Sequence, residues 1–377
     1  MEELNQLLSD LVKINSVNPA LVPGAPGEGE MARYISQWLE QNGLEVQTIE
    51  SVPGRPNVVG IARGSGGGKT LLLNGHMDTV GTGEMPRPHE PHIKDGRLYG
   101  RGAYDMKSGL AACMWTVAAV KKHKLRGDVI FTAVIDEEYA STGTMEIAKR
   151  FHADGAIVAE FTEHQVILAH RGFVCLEVET IGRAAHGSRS DLGVDAITKM
   201  GHILVELEKL DQAFRSNPSH ALLGSGSVHA SLISGGSELF TYPEHCVLSV
   251  ERRTLPGETP EQAEREIVEI IEKLKKSDPS FNAVVRRGID RFPMETPRDA
   301  GIFTAIQAAA AKVLNRPLEI AGEPFWTDAE LLSEAGIPSL LFGPSGGGAH
   351  SVEEWVDLSS MKMCADIYLS TALEFCK

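Results

Sequence analysis

The chain has 377 residues, 42% hydrophobic and 23% charged, which is ordinary for a soluble globular protein and long enough for two domains. Its formal net charge of -15 argues against nucleic acid or an anionic membrane surface as the main partner and suits a protein that gathers divalent cations. No apolar run approaches membrane-spanning length, and the cysteines (Cys113, Cys175, Cys246, Cys364 and Cys376) are scattered, odd in number and form no Cys-x-x-Cys pair, so packed, reduced thiols in a cytoplasmic protein are expected.

The opening MEELNQLLSDLVKI sets Leu4, Leu7, Leu8, Leu11 and Val12 at helical spacing with acids between them, an amphipathic helix rather than a signal peptide. A second helix is expected from about Gly29 to Asn42, ended by Gly43, and LEVQTI follows as a strand. The segment GSGGGKT superficially resembles a phosphate cradle. A P-loop needs glycine where Arg63 stands and a helix after Thr70, whereas LLLNG reads as a buried strand, so the nucleotide reading fails. The strand-like NVVGIAR before the glycines suggests a flexible hairpin connection. SGLAACMWTVAAVKKHK reads as a helix with cations near its C-terminal end, and DVIFTAVI and GAIVAEF as strands. Alternation of helix and strand up to about Phe161 predicts an α/β layer with a substantially parallel sheet.

After Arg171 strands come in succession: FVCLEVETIG, a helix from about Val194 to Leu210, SGSVHASLISG, HCVLSVERR, and a helix from about Pro260 to Lys276. This pattern predicts a smaller α+β unit inserted into the first. Alternation resumes with a helix around Ala300 to Leu314, the strand IPSLLFG and a last helix from about Leu358 to Phe375.

Ligands of open α/β sheets bind beyond the carboxyl ends of the strands. His76 and Asp78 follow LLLNG, Asp105 follows LYGRGAY, Asp136, Glu137 and Glu138 follow VIFTAVI, Glu160 follows GAIVA, and His350 follows LLFGPSGGGA. Any one of these alone is more simply an N-cap, a solvated charge or a hydrogen-bonded histidine. Together they are a set of carboxylates and two imidazoles, the ligand mix of zinc or another first-row dication. The adjacent acids Glu137 and Glu138, at the end of an apolar strand, need a cation or a proton to compensate them.

The segments GHMDTV, GRGAYDMKSGLAA, DEEYASTGT, AEFT, GRAAHGSRSDLGVDA, RRTLPGE and FGPSGGGAHSVEEWV occur in the order, and near the spacing, of the M20 metallopeptidase and deacylase family, and the chain resembles that family over nearly its whole length. The family includes acetylornithine deacetylase, succinyl-diaminopimelate desuccinylase, aminoacylase and glutamate carboxypeptidase. The resemblance implies a zinc-exopeptidase-like α/β catalytic domain with a mixed, largely parallel sheet, formed by residues 1–171 and 291–377, and a smaller α+β lid and dimerisation domain inserted at 172–290. It further implies a two-metal site in which Asp105 bridges, His76 and Glu160 complete one ion, and Glu138 and His350 complete the other. Asp78 would accept the second imidazole proton of His76, and Glu137 would be the general base. His186 would stabilise the oxyanion from a partner subunit, and Arg253 would pair with the substrate carboxylate, with Arg252 as the competing candidate.

The activity so implied is metal-dependent hydrolysis of the amide bond of an N-acyl amino acid or small peptide by a homodimer holding two divalent ions, Zn2+ first, with Co2+ or Mn2+ as alternatives. An acetylornithine deacetylase-like deacylase is the leading expectation. An aminopeptidase- or dipeptidase-like exopeptidase and an inactive binding protein of the same fold are the alternatives. The sequence departs from the family pattern in two places: Phe240 stands near the position where several relatives carry Asn, and Ala140 where many have Gly.

Overall fold

The computed structural model describes residues 2–377 and divides into two compact units. The first comprises residues 2–168, 296–321 and 327–377, and the second residues 169–295 and 322–326.

The first unit begins with α1 (Glu2–Lys13), whose leucines and Val12 are buried as their spacing predicts, and α2 (Gly29–Gln41). Strands β1 (Glu45–Val52), β2 (Arg55–Ala62) and β3 (Leu71–His76) follow, then the short β4 (His92–Lys94) and β5 (Arg97–Tyr99), α3 (Lys107–Val120), β6 (Val129–Val134), α4 (Thr142–Arg150), β7 (Gly155–Val158) and β8 (Val166–His170). Every residue of β3, β6 and β7 is buried, as expected of sheet strands covered on both faces. Helix α3 is apolar nearly all round because it is buried on most sides, against α1, α9 and the sheet.

The second unit contains β9 (Gly172–Ile181), α5 (Ala196–Ser216), β10 (Ser227–Gly235), β11 (His245–Thr254), α6 (Pro260–Ser277), β12 (Ala283–Arg291) and β13 (Met294–Glu295). Its antiparallel sheet has the order β10-β11-β9-β12. Burial alternates along β9 and β11, and the inward set (Val174, Leu176, Val178, Leu248 and Val250) packs on Met200 and Ile203 of α5 and Ile267 and Ile271 of α6. Thr259 and Gln262 form a capping box at the start of α6, with Pro260 at the first helical position.

The chain then adds α7 (Gly301–Leu314), β14 (Ile320–Glu323), α8 (Ala329–Glu334), β15 (Ser339–Leu341), β16 (Gly346–Gly347), β17 (Trp355–Asp357) and α9 (Leu358–Phe375). The main sheet of the first unit runs β1-β2-β6-β3-β7-β15-β8. Its centre, β6-β3-β7-β15, is parallel and its flanks are antiparallel, so the sheet is mixed. A separate small sheet has the order β16-β17-β5-β4.

This topology corrects the hairpin expected around the glycine-rich turn. β2 and β3 do not pair, because β6 lies between them, antiparallel to one and parallel to the other. β8, β12 and the short helices α4 and α8 were not expected from the sequence. All five cysteines are free, and among the described residues no helix is long and apolar enough to cross a membrane.

Candidate metal centre

Parallel neighbours β3, β6 and β7 end side by side, so the residues leaving their carboxyl ends converge. His76 is the last residue of β3, and Glu160 follows β7 by two. After β6 the backbone turns at Asp136, which adopts the left-handed conformation at φ 68°, and the Asp136 carbonyl accepts the N–H groups of Ala140 and Ser141. Glu137 and Glu138 sit on this turn.

Asp105 does not follow a strand of the main sheet, contrary to the strand-end pattern. It lies on the loop between β5 of the small sheet and α3. Gly109 lets α3 come close to the end of β7: a Cβ there would stand 1.9 Å from the Ala159 carbonyl oxygen. His350 arrives after β16 at φ 59°, behind Gly348, where a Cβ would lie 1.8 Å from the Glu353 carbonyl oxygen.

Six of the expected residues meet. Asp105 Oδ1 lies 3.2 Å from His76 Nε2, and its Oδ2 lies 3.2 Å from His350 Nε2. Glu160 Oε1 is 3.5 Å from His76 Nε2, and Glu138 Oε2 is 3.3 Å from His350 Nε2. The acid pair therefore divides, Glu138 towards His350 and Glu137 towards the His76 and Glu160 side. One donor atom each of His76, Glu137 and Glu160 lie within 4.8 Å of one another, as do those of His76, Asp105 and Glu138.

Asp78 is fully buried, but it touches His76 differently from the expectation. His76 Nδ1 donates to the Asp78 main-chain carbonyl at 2.9 Å, while the carboxylate is 3.6 Å away. The Asp78 carboxylate instead accepts the main-chain N–H groups of Glu137 at 3.1 Å and Glu138 at 3.2 Å. Asn18 Nδ2 bridges Asp78 at 2.8 Å and Asp136 at 3.0 Å. Arg55 donates to both oxygens of Glu28 and to Asp136 behind them.

The electrostatics are those of crowded carboxylates held together by two imidazoles. Burial pushes Glu137 and Glu160 well above the ordinary carboxyl range; His76 opposes this, and neighbouring acids reinforce it. Burial would raise Asp105 too, but its contacts with His350 and His76 win and hold it low. His350 is pushed up to about 10 by its hydrogen bonds to Asp105 and Glu138, against the opposing effect of burial. Glu138 Oε1 is buried without a hydrogen-bond partner, a cost that a bound cation removes. Oxygen and imidazole donors around an unpaired buried oxygen fit divalent metal ions.

His186 and Arg253 belong to the second unit. His186 is exposed on a loop, its Nδ1 2.8 Å from Ser188 Oγ, and it forms an isolated bridge with Thr241 next to the exposed Phe240. Arg253 is half-buried on β11, ion-paired with Glu251 and over the Phe173 ring. Arg252 is fully buried and committed to Glu258, Glu266 and the Phe214 ring.

A mixed α/β unit gathering imidazoles and carboxylates at its strand ends is the framework of a metal-dependent hydrolase of amide bonds. The chain belongs to peptidase family M20/M25/M40, whose model matches residues 72–374. It is 30% identical to N-formyl-4-amino-5-aminomethyl-2-methylpyrimidine deformylase of Bacillus subtilis (strain 168), over 100% of this chain and 95% of that one. It is 28% identical to acetylornithine deacetylase of Myxococcus xanthus, over 99% and 97% respectively. In fold it is similar to aminopeptidase PepT from Bacillus cereus ATCC 10987, with a TM-score of 0.81, 18% identity and coverage of 100% of this chain and 99% of that one.

Proposed function

We propose that the protein is a deacylase: it hydrolyses the amide bond of a small N-acylated amine or amino acid, and His76, Asp105, Glu138, Glu160 and His350 hold two divalent ions, zinc first. The observation that carries the reading is Asp105, whose two oxygens each face a different imidazole at 3.2 Å, the disposition of a carboxylate shared by two ions. Bound there, the ions supply Lewis-acid polarisation of the carbonyl and make water easier to deprotonate.

Glu137 is the general base. It takes a proton from the attacking water and returns it to the leaving amine. Asp78, gripping the Glu137 and Glu138 backbone, fixes the directions of both side chains. His186 donates to the oxyanion from a second copy of the chain. Arg253 pairs with the substrate carboxylate; Arg252 is already committed to two acids and an aromatic ring, which favours this choice.

Exposure of the β10 edge strand supports a homodimer. Leu232 is 73% and Ile233 55% exposed there, an apolar edge that soluble proteins ordinarily cover. The relatives named above make formyl and acetyl groups the first acyl groups to try.

The test is metal content per chain together with hydrolysis of N-formyl, N-acetyl, N-succinyl and dipeptide substrates before and after chelation. About two ions per chain with chelator-sensitive loss of the acyl group is the expected result. Turnover of free-amine dipeptides alone would transfer the assignment to an exopeptidase, and no metal uptake on reconstitution would reject the centre.

A further inference from the structure

Glu354 is 2% exposed and lies four residues beyond His350. Its side chain accepts four hydrogen bonds, two on each oxygen. Oε2 takes the Arg101 guanidinium at 2.7 Å and the Gly102 N–H at 2.9 Å; Oε1 takes the N–H groups of Tyr104 at 2.9 Å and Asp105 at 3.0 Å. The Glu354 main-chain carbonyl adds the Gly100 N–H at 3.1 Å. Arg101 uses its other terminal nitrogen on the Ser351 carbonyl at 3.0 Å, next to His350. β17 and β5 pair with Trp355 opposite Tyr99, which sets Glu354 against the base of this loop.

The loop from Gly100 to Asp105 is thus organised around one carboxylate that comes from the His350 side of the centre. Asp105 and His350 are 245 positions apart in the sequence, yet Glu354 and Arg101 tie the two supporting segments together within hydrogen-bond range. Such centres tolerate errors of about 0.5 Å in ligand placement. We infer that Glu354 is the positioning residue that fixes Asp105 relative to His350, and that its four-donor carboxylate controls metal affinity beyond any contribution to fold stability. This inference rests on the reading that Asp105 and His350 hold metal.

The substitution Glu354→Gln keeps the size but replaces one double acceptor with an amide N–H2 group facing N–H donors, and it removes the charge opposite Arg101. Glu354→Asp keeps both oxygens and the charge at shorter reach. Thr116→Val, which removes a buried hydroxyl bonded to the Ala112 carbonyl between α3 and α9, is the stability control.

Zinc affinity is read by competition with a chromophoric chelator, beside circular dichroism and melting temperature. Wild type binds two ions. Glu354→Gln folds and binds one of them about ten- to a hundredfold more weakly, Glu354→Asp lies between, and Thr116→Val melts lower with wild-type affinity. Folded Glu354→Gln with wild-type affinity overturns the inference, as does an equal loss in Thr116→Val. Should Glu354→Gln not fold, Arg101→Lys decides: it keeps the charge and gives up the Ser351 contact, so weakened zinc binding supports the clamp and unchanged binding refutes it. Wild type that binds no zinc rejects the metal centre itself, and the inference with it.

Discussion

Asp78 Oδ1 accepts the main-chain N–H of Glu137 at 3.1 Å, so the strand end that delivers His76 also orients the proposed base. Replacing Asp78 with Asn leaves one oxygen where two serve Glu137, Glu138 and Asn18. Asp78→Asn is expected to lower kcat by about ten- to a hundredfold while both ions stay bound. Loss of metal with unchanged kcat per bound metal would place Asp78 in ligation instead.

Glu137→Gln keeps the volume and removes the base. Turnover is expected to fall by roughly 10²–10⁴-fold with full metal content, whereas His350→Ala loses an ion. Elemental analysis of the two variants beside their single-turnover rates checks this division, and equal metal loss in both would undo it.

The neighbouring arginines separate by burial. Arg253→Ala is expected to leave melting unchanged and raise KM for carboxylate-bearing substrates by roughly ten- to a hundredfold, the value of a charged hydrogen bond. Arg252→Ala is expected to destabilise by about 2–3 kcal/mol, less than breaking a wholly buried pair because Glu258 and Glu266 keep contact with solvent. Denaturant titration and Michaelis kinetics on both variants give the comparison.

Burial pushes Glu323 up to about 7 from an ordinary 4.5. Between those values the folded protein keeps a proton that the unfolded chain releases, so this residue's contribution to stability falls as pH rises through that window. Glu323→Gln should therefore melt higher than wild type near pH 8, and the difference should close towards about pH 4. A gain that is independent of pH would rule out this origin.

At the exposed β10 edge, Leu232→Glu is expected to convert a dimer into a monomer in light scattering, with turnover falling in parallel because His186 is lost from the neighbouring copy. A monomeric wild type, or a monomeric variant with full activity, would remove the second copy from the reaction.

Much of this was legible in the sequence, and most of the exceptions depend on partners distant in the chain. Helix α6 announces itself through Thr259 and Pro260, and α9 spans the residues its periodicity marks out, because caps and amphipathic spacing are local signals. Most residues of the candidate centre stood out because apolar runs end in acids and histidines; Asp105 instead sits on a loop that leaves the small sheet. The hairpin between β2 and β3 was misjudged because burial of a strand says nothing about its neighbour, and β6 arrives from 53 positions beyond His76. β12 was missed because Arg286, Arg287 and Asp290 give it the polarity of an exposed edge. Asn18 and Glu354 escaped notice for the same physical reason: their partners lie 60 to 118 and 249 to 253 positions away, and no spacing rule reaches so far.

β15 is seated between β7 and β8, two strands completed well over a hundred residues earlier in the chain. During synthesis on the ribosome the sheet is therefore an open seam with two unpaired edges, while the second unit is made and can fold in the interval. His350 and Glu354 follow β15 in the chain. Until β15 has been made, the facing edges of β7 and β8 therefore depend on protection from other strands.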